Sequence, residues 1–237
     1  MTSRCLVFAV SLLLSGAPAL AQVQPLSVER IWGSNEFASS LVVIRWAPDG
    51  QSYTHVEQSS GATDLYQVDA VSGSQERLVA GTDLVPQGSA APIRIESYQF
   101  SADRSKLLIF TNSQRVWRRN TKGEYFVWDF GTKRLLPVSQ QAGLQMFAKF
   151  SPEGTLVGFV RDNDLFVSDF AEGREWRITQ DGSDDIINGT SDWVYEEELG
   201  LRDAFRISPD GQRIAFWRLD QSRIEPFYMI DETPLYP

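Results

Sequence analysis

Three glutamates in a row, Glu196-Glu197-Glu198, directly follow Trp193-Val194-Tyr195, and Asp192 opens the segment. Acidic runs on a solvated surface are usually flanked by Lys, Ser or Gly. Here the flanking residues are aromatic and branched apolar ones, so the spacing predicts a short packed segment that presents carboxylates into a cavity. Carboxylates held on such a platform need a cation, and an ammonium group is one candidate. An ammonium has three N–H donors and a full charge, so two carboxylates can accept charge-assisted hydrogen bonds from it and balance it. Acids in a first helical turn are also favoured by the helix dipole. Glu196 is set apart from the ligand pair, because adjacent side chains on a helix point in different directions. A second charged feature is Arg118, in the cluster Arg115, Trp117-Arg118-Arg119-Asn120.

Other chemistries lack their residues. The chain has one histidine, His55, and no Gly-x-Ser-x-Gly nucleophile elbow, so no Ser-His-Asp triad can be assembled from it. The single cysteine, Cys5, lies in the first residues, which excludes a disulfide or a thiolate metal site further on. Asp184-Asp185 lacks the spacing of a calcium loop, and no metal or cofactor is expected. Asn188-Gly189-Thr190 fits a glycosylation acceptor pattern.

The first residues read as a secretory signal. Arg4 supplies the positive start, residues 5–14 the apolar run, and Ala19-Leu20-Ala21 the small-residue cleavage pattern. An exported chain, periplasmic or secreted, is expected to begin near Gln22. Loss of Arg4 would take the formal charge of −9 to −10, which repels nucleic acids and anionic membranes. With 7 Trp and 14 Phe, the chain has material for a sizeable core.

The elements that must position the acids form a repeat. Four turns recur: Ala47-Pro48-Asp49-Gly50, Ser101-Ala102-Asp103-Arg104, Ser151-Pro152-Glu153-Gly154 and Ser208-Pro209-Asp210-Gly211. Each is followed by an apolar run closed by Asp, at Leu65–Asp69, Tyr125–Asp129, Leu165–Asp169 and Phe227–Asp231. Short strands rich in Val, Ile and aromatics, broken by turns at a near-constant interval, predict an all-β fold, a β-propeller of four-stranded antiparallel blades. About four blades of an expected eight are counted. The regions predicted are a signal peptide over 1–21, a lead-in over 22–41 and a partial propeller over 42–237. Extra residues around Trp117 and between Asp169 and Ile207 mark excursions from the repeat, of the kind that often carries binding.

The segment Asp192-Trp193-Val194-Tyr195-Glu196-Glu197-Glu198, with Asn188-Gly189 upstream and Trp117-Arg118 in the second blade, resembles the dipeptidyl peptidase IV family of serine exopeptidases. The resemblance runs from about Val42 to Pro237. It implies an eight-bladed propeller followed by an α/β-hydrolase domain, with the active site between them. It also implies that Glu197 and Glu198 bind the free N-terminal ammonium of a peptide substrate, while Arg118 contacts a backbone carbonyl and orients the acids. On this resemblance the chain is a recognition segment cut short before the hydrolase domain, with no catalytic residue of its own. The whole enzyme would release N-terminal dipeptides with Pro or Ala second. Members of the family often form homodimers, which makes a homodimer of the full-length form an implied partner. A non-catalytic periplasmic propeller of TolB-like type is the alternative.

Overall fold

The computed structural model describes residues 25–34, 36–38, 42–59, 61–225 and 228. The signal-peptide reading, residues 1–21, and all but Tyr228 of the strand expected at Phe227–Asp231 lie outside them. Internal contacts divide the chain into residues 1–41 and 42–237. In the first unit a π-helical turn, Glu29–Gly33, carries Arg30, which pairs with Glu36.

The second unit is built of antiparallel β-meanders. Strands β1 (Arg45–Trp46), β2 (Ser52–Ser59), β3 (Ala62–Asp69) and β4 (Gln75–Val79) form one four-stranded blade in sequence order. A second blade comprises β5 (Ser97–Phe100), β6 (Lys106–Val116), β7 (Arg119–Asp129) and β8 (Arg134–Pro137). The third comprises β9 (Gln145–Phe150), β10 (Val157–Arg161), β11 (Asp164–Asp169) and β12 (Arg174–Arg177). Beyond it come β13 (Ile186–Asn188), helix α1 (Trp193–Leu199), β14 (Phe205–Ile207), β15 (Ile214–Phe216) and β16 (Arg218–Asp220). There β14 pairs β15, and β13 pairs β16.

The four recurrent turns join the first two strands of each blade, and they share one geometry. The fourth residue is left-handed in all of them: Gly50 at φ +67°, Arg104 at +57°, Gly154 at +68° and Gly211 at +68°. Its N–H donates to the carbonyl of the turn's first residue at 2.9–3.0 Å in each case. Glycine takes this conformation without steric cost. Arg104 offsets the cost with contacts a glycine could not make. Its guanidinium lies 4.1 Å from the Phe100 ring centre and donates to Gln67 of the first blade at 3.1 Å. The Asp-closed runs have an equally local cause. Asp69 Oδ1 accepts from the Ser72 N–H at 2.7 Å and Asp129 Oδ1 from the Thr132 N–H at 2.7 Å, so each carboxylate caps the turn into the fourth strand.

Because blades stack face to face, the inner strands are buried on both sides and read as continuous apolar runs. Along β6 and β7, Leu107, Ile109, Phe126 and Trp128 enter the core shared with the first blade. Leu108 and Val127, one residue out of phase, join Val157, Phe159 and Phe166 of the third. Val160, Leu165 and Phe205 make a further cluster against β14. The second and third blades are also tied by hydrogen bonding, since β7 pairs β9 at Lys122↔Met146 and Gly123↔Gln145. Gly123 is needed on the other side, against β6, where a Cβ would lie 2.6 Å from the Phe110 ring and 2.7 Å from the Thr111 carbonyl oxygen.

Candidate functional site

Arg118 sits at the tip of an elongated hairpin. Strands β6 and β7 have eleven residues each and pair as far as Val116↔Arg119, which leaves Trp117 and Arg118 as the turn. Trp117 adopts φ +49°. Its carbonyl accepts from Arg115 Nε at 2.8 Å. The excursion expected around residue 117 is therefore a projection of the sheet itself.

The acids lie on α1, whose boundaries are written in the sequence. Asp192 is the N-cap and accepts the Tyr195 N–H at 2.9 Å. Gly200 closes the helix at φ +65°, where its N–H and that of Leu201 return to the Glu196 and Tyr195 carbonyls at 3.1 and 3.0 Å. The flanks are stapled, with Ser191 Oγ donating to the Leu201 carbonyl at 2.5 Å and Thr190 Oγ1 to that of Arg202 at 3.0 Å.

The burial of this segment corrects one expectation. Trp193 and Val194 are exposed, at 49% and 52%, and only Tyr195 packs, edge-on to Trp217 with ring centres 5.6 Å apart. The platform is supplied instead by Glu196, which is 5% exposed and pairs with Arg202 at 3.2 Å. The sequence sets Glu196 apart from the ligand pair because adjacent helical side chains point in different directions, but it does not say which of the three turns inward.

Of the three expected site residues, two are brought together. Arg118 Nε lies 3.0 Å from Glu197 Oε2, and the carboxylate side chain is 10% exposed while the arginine is 75% exposed. Glu198, the next residue, is exposed, and no ion pair reaches it among the described residues. A surface ion pair of this exposure adds little stability. What it does supply is a shielded carboxylate oxygen with a guanidinium on one side, next to a second carboxylate open to solvent. That arrangement can accept hydrogen bonds from a small cation.

The excursion carrying α1 is braced from below. Asn188 is fully buried and donates from Nδ2 to Asp181 at 2.9 Å and to Asp164 at 3.3 Å. Arg218 Nε completes the bracket on Asp181 at 2.8 Å. On the other side Asp203 pairs with Lys149 of β9 and, at 3.0 Å, with Arg206. The glycosylation pattern at Asn188 is overturned by this burial, since the amide that would carry a sugar is enclosed and bonded. His55 is likewise enclosed in β2, stacked on Tyr66 at 5.8 Å with Nε2 2.9 Å from Glu57. No cluster of three or more potential metal-ligating side chains occurs among the described residues, and no helix there is long and apolar enough to cross a membrane.

By fold and by site, this is a β-propeller protein whose loop excursions hold an acid–arginine pair. Residues 101–237 match the family model of the dipeptidyl peptidase IV (DPP IV) N-terminal region. The chain belongs to that family. It is 35% identical over 208 residues to a probable dipeptidyl peptidase 4 of Arthroderma benhamiae, covering 84% of this chain and 25% of the relative. It is 34% identical, over the same shares, to dipeptidyl peptidase 4 of Trichophyton rubrum. The crystal structure of Porphyromonas gingivalis dipeptidyl peptidase 4 superposes with a TM-score of 0.75 at 30% identity, covering 90% of this chain and 30% of that one. The chain thus spans about a quarter of the length of the curated relatives it matches.

Proposed function

We propose that this segment is the substrate-recognition part of an exported serine dipeptidyl aminopeptidase and that its acids hold the free amino terminus of a peptide. The observation that carries the reading is the ion pair from Arg118 to Glu197. A largely buried carboxylate is fixed by a cation from a different blade, with Glu198 adjacent and without an ion pair among the described residues. A peptide ammonium entering there donates to the remaining oxygen lone pairs of both carboxylates, while Arg118 keeps an exposed edge to meet the first peptide carbonyl. Membership of a family of named dipeptidyl peptidases supports the assignment. A fixed anionic stop also explains exopeptidase length selection. Only a bond two residues from the held amine reaches a nucleophile placed by the rest of the enzyme, and an internal segment has no ammonium to offer. The hydrolytic groups are assigned to the part of the relatives' length outside the matched quarter.

Calorimetric titration with a Gly-Pro-Gly tripeptide, free or acetylated at its amino terminus, tests the reading. The free amine should bind about a hundredfold more tightly, as expected for two charge-assisted bonds to one cation. Equal affinities would refute it.

A further inference from the structure

We infer that Glu196 and Arg202 form a positioning pair that fixes the rotation of α1 and leaves its acids with a single unbalanced negative charge; this rests on the reading of Glu197 and Glu198 just given. Helix α1 has seven residues, too few to persist by its own hydrogen bonds. Its caps at Asp192 and Gly200 fix where it starts and stops, but caps alone do not fix which face turns inward. Successive residues on a helix are about 100° apart, so the choice of which glutamate faces the interior decides where the other two point. Glu196 faces in, with a side chain 4% exposed, and Glu197 and Glu198 fall on its flanks.

A carboxylate that deep needs a cation. Arg202 supplies it, with Nε 3.2 Å from Glu196 Oε1, and neither atom has a hydrogen-bond partner elsewhere among the described residues. The arginine is itself held from outside the helix. Its carbonyl accepts from Thr190 Oγ1 at 3.0 Å, and its neighbour Asp203 bridges to Thr190 and pairs with Lys149 of the third blade. The interior pair therefore transmits the position of the sheet to the helix. Buried ion pairs seldom raise stability above that of apolar replacements, and their better-supported use is to specify one arrangement among several.

The charge count points the same way. Three carboxylates face two guanidiniums, Arg202 on Glu196 and Arg118 on Glu197, which leaves a single negative charge unbalanced. One net negative charge suits one ammonium. Without Arg202 the balance becomes −2, and Glu196 is driven to seek solvent or Arg118, turning Glu197 away from its place.

The test is the ratio of dissociation constants for acetylated over free-amine Gly-Pro-Gly, measured by calorimetry alongside thermal unfolding. Arg202→Met should lower that ratio about tenfold, the size expected when one member of a coupled network is removed. Glu196→Gln combined with Arg202→Met, which removes both charges, should restore it to within about threefold of the starting value. A purely structural role would shift unfolding without changing the ratio. If the unaltered chain discriminates but Arg202→Met discriminates equally well, the positioning role is wrong and the reading of Glu197 and Glu198 stands. Failure of the double variant to recover also overturns it, because the arginine then acts on something other than Glu196. If the unaltered chain does not discriminate, the underlying reading fails.

Discussion

At the scale of single residues, the site separates three identical side chains into three environments. Glu196 is interior and neutralised by Arg202, Glu197 is shielded and touched by Arg118, and Glu198 is open. Glu197→Gln keeps the shape and removes the charge. It should weaken binding of a free-amine peptide at least tenfold, roughly the value of one charge-assisted bond, with little effect on the acetylated peptide. The partnership of Glu197 with Arg118 was legible through the resemblance, although the apolar platform expected beneath the acids is not what the helix rests on. The helical phase was not. Three consecutive glutamates carry no mark of which one turns inward, and the hydrophobicity of Trp193 and Val194 points to the interior although both lie at the surface. What decides the phase is Arg202, six residues beyond Glu196, and its role follows from a chain reversal at Gly200 that side-chain type alone does not reveal.

At the scale of elements, α1 and the β6–β7 hairpin hold the site, and each has a vulnerable point. Asp192→Ala removes the only side-chain cap of a two-turn helix and should cost about 1 kcal/mol in chemical denaturation. It should also weaken peptide binding, because the helix start carries the acids. Gly123→Ala should destabilise by about 1–3 kcal/mol, since its methyl group meets the Phe110 ring and the Thr111 carbonyl oxygen of the neighbouring strand β6. Unchanged stability in that variant would mean that β6 and β7 do not approach this closely at Gly123. The turns were readable because their chemistry is local. Pro, acid and Gly prescribe a reversal whatever surrounds them, and even Arg104 obeys the geometry set by its three glycine counterparts. The β7–β9 pairing was not readable, because Gly123 within a strand signals a close approach without naming the partner.

At the scale of the whole molecule, apolar faces tie blade to blade while carboxylates cap the turns within each, and the caps give a defined pH response. Hydrogen bonds from the Ser72 N–H hold the Asp69 carboxyl below its ordinary range, and the Thr132 N–H does the same for Asp129. The Ser101 hydroxyl lowers Asp103 and the Ser208 hydroxyl lowers Asp210. A carboxyl whose pKa is lower folded than unfolded contributes stability that is complete above the unfolded value, about 3.9, and is lost as pH falls through the folded one. Thermal unfolding should therefore be nearly independent of these groups between pH 5 and 7, by this rough bracketing, and should drop to lower temperature below about pH 4. A midpoint unchanged at pH 3 would show that the caps do not persist. At this scale the repeat announced the propeller architecture, while the burial of both faces of each blade explains why its inner strands lack the alternation of a one-sided sheet. The central claim is that the excursions on this propeller capture a peptide's amino terminus, and the titration with free and acetylated Gly-Pro-Gly addresses it most directly. The free amine should be preferred about a hundredfold, and the preference should collapse in Glu197→Gln; equal binding of the two peptides, or a preference that survives Glu197→Gln intact, would show that the acids do not hold the amino terminus.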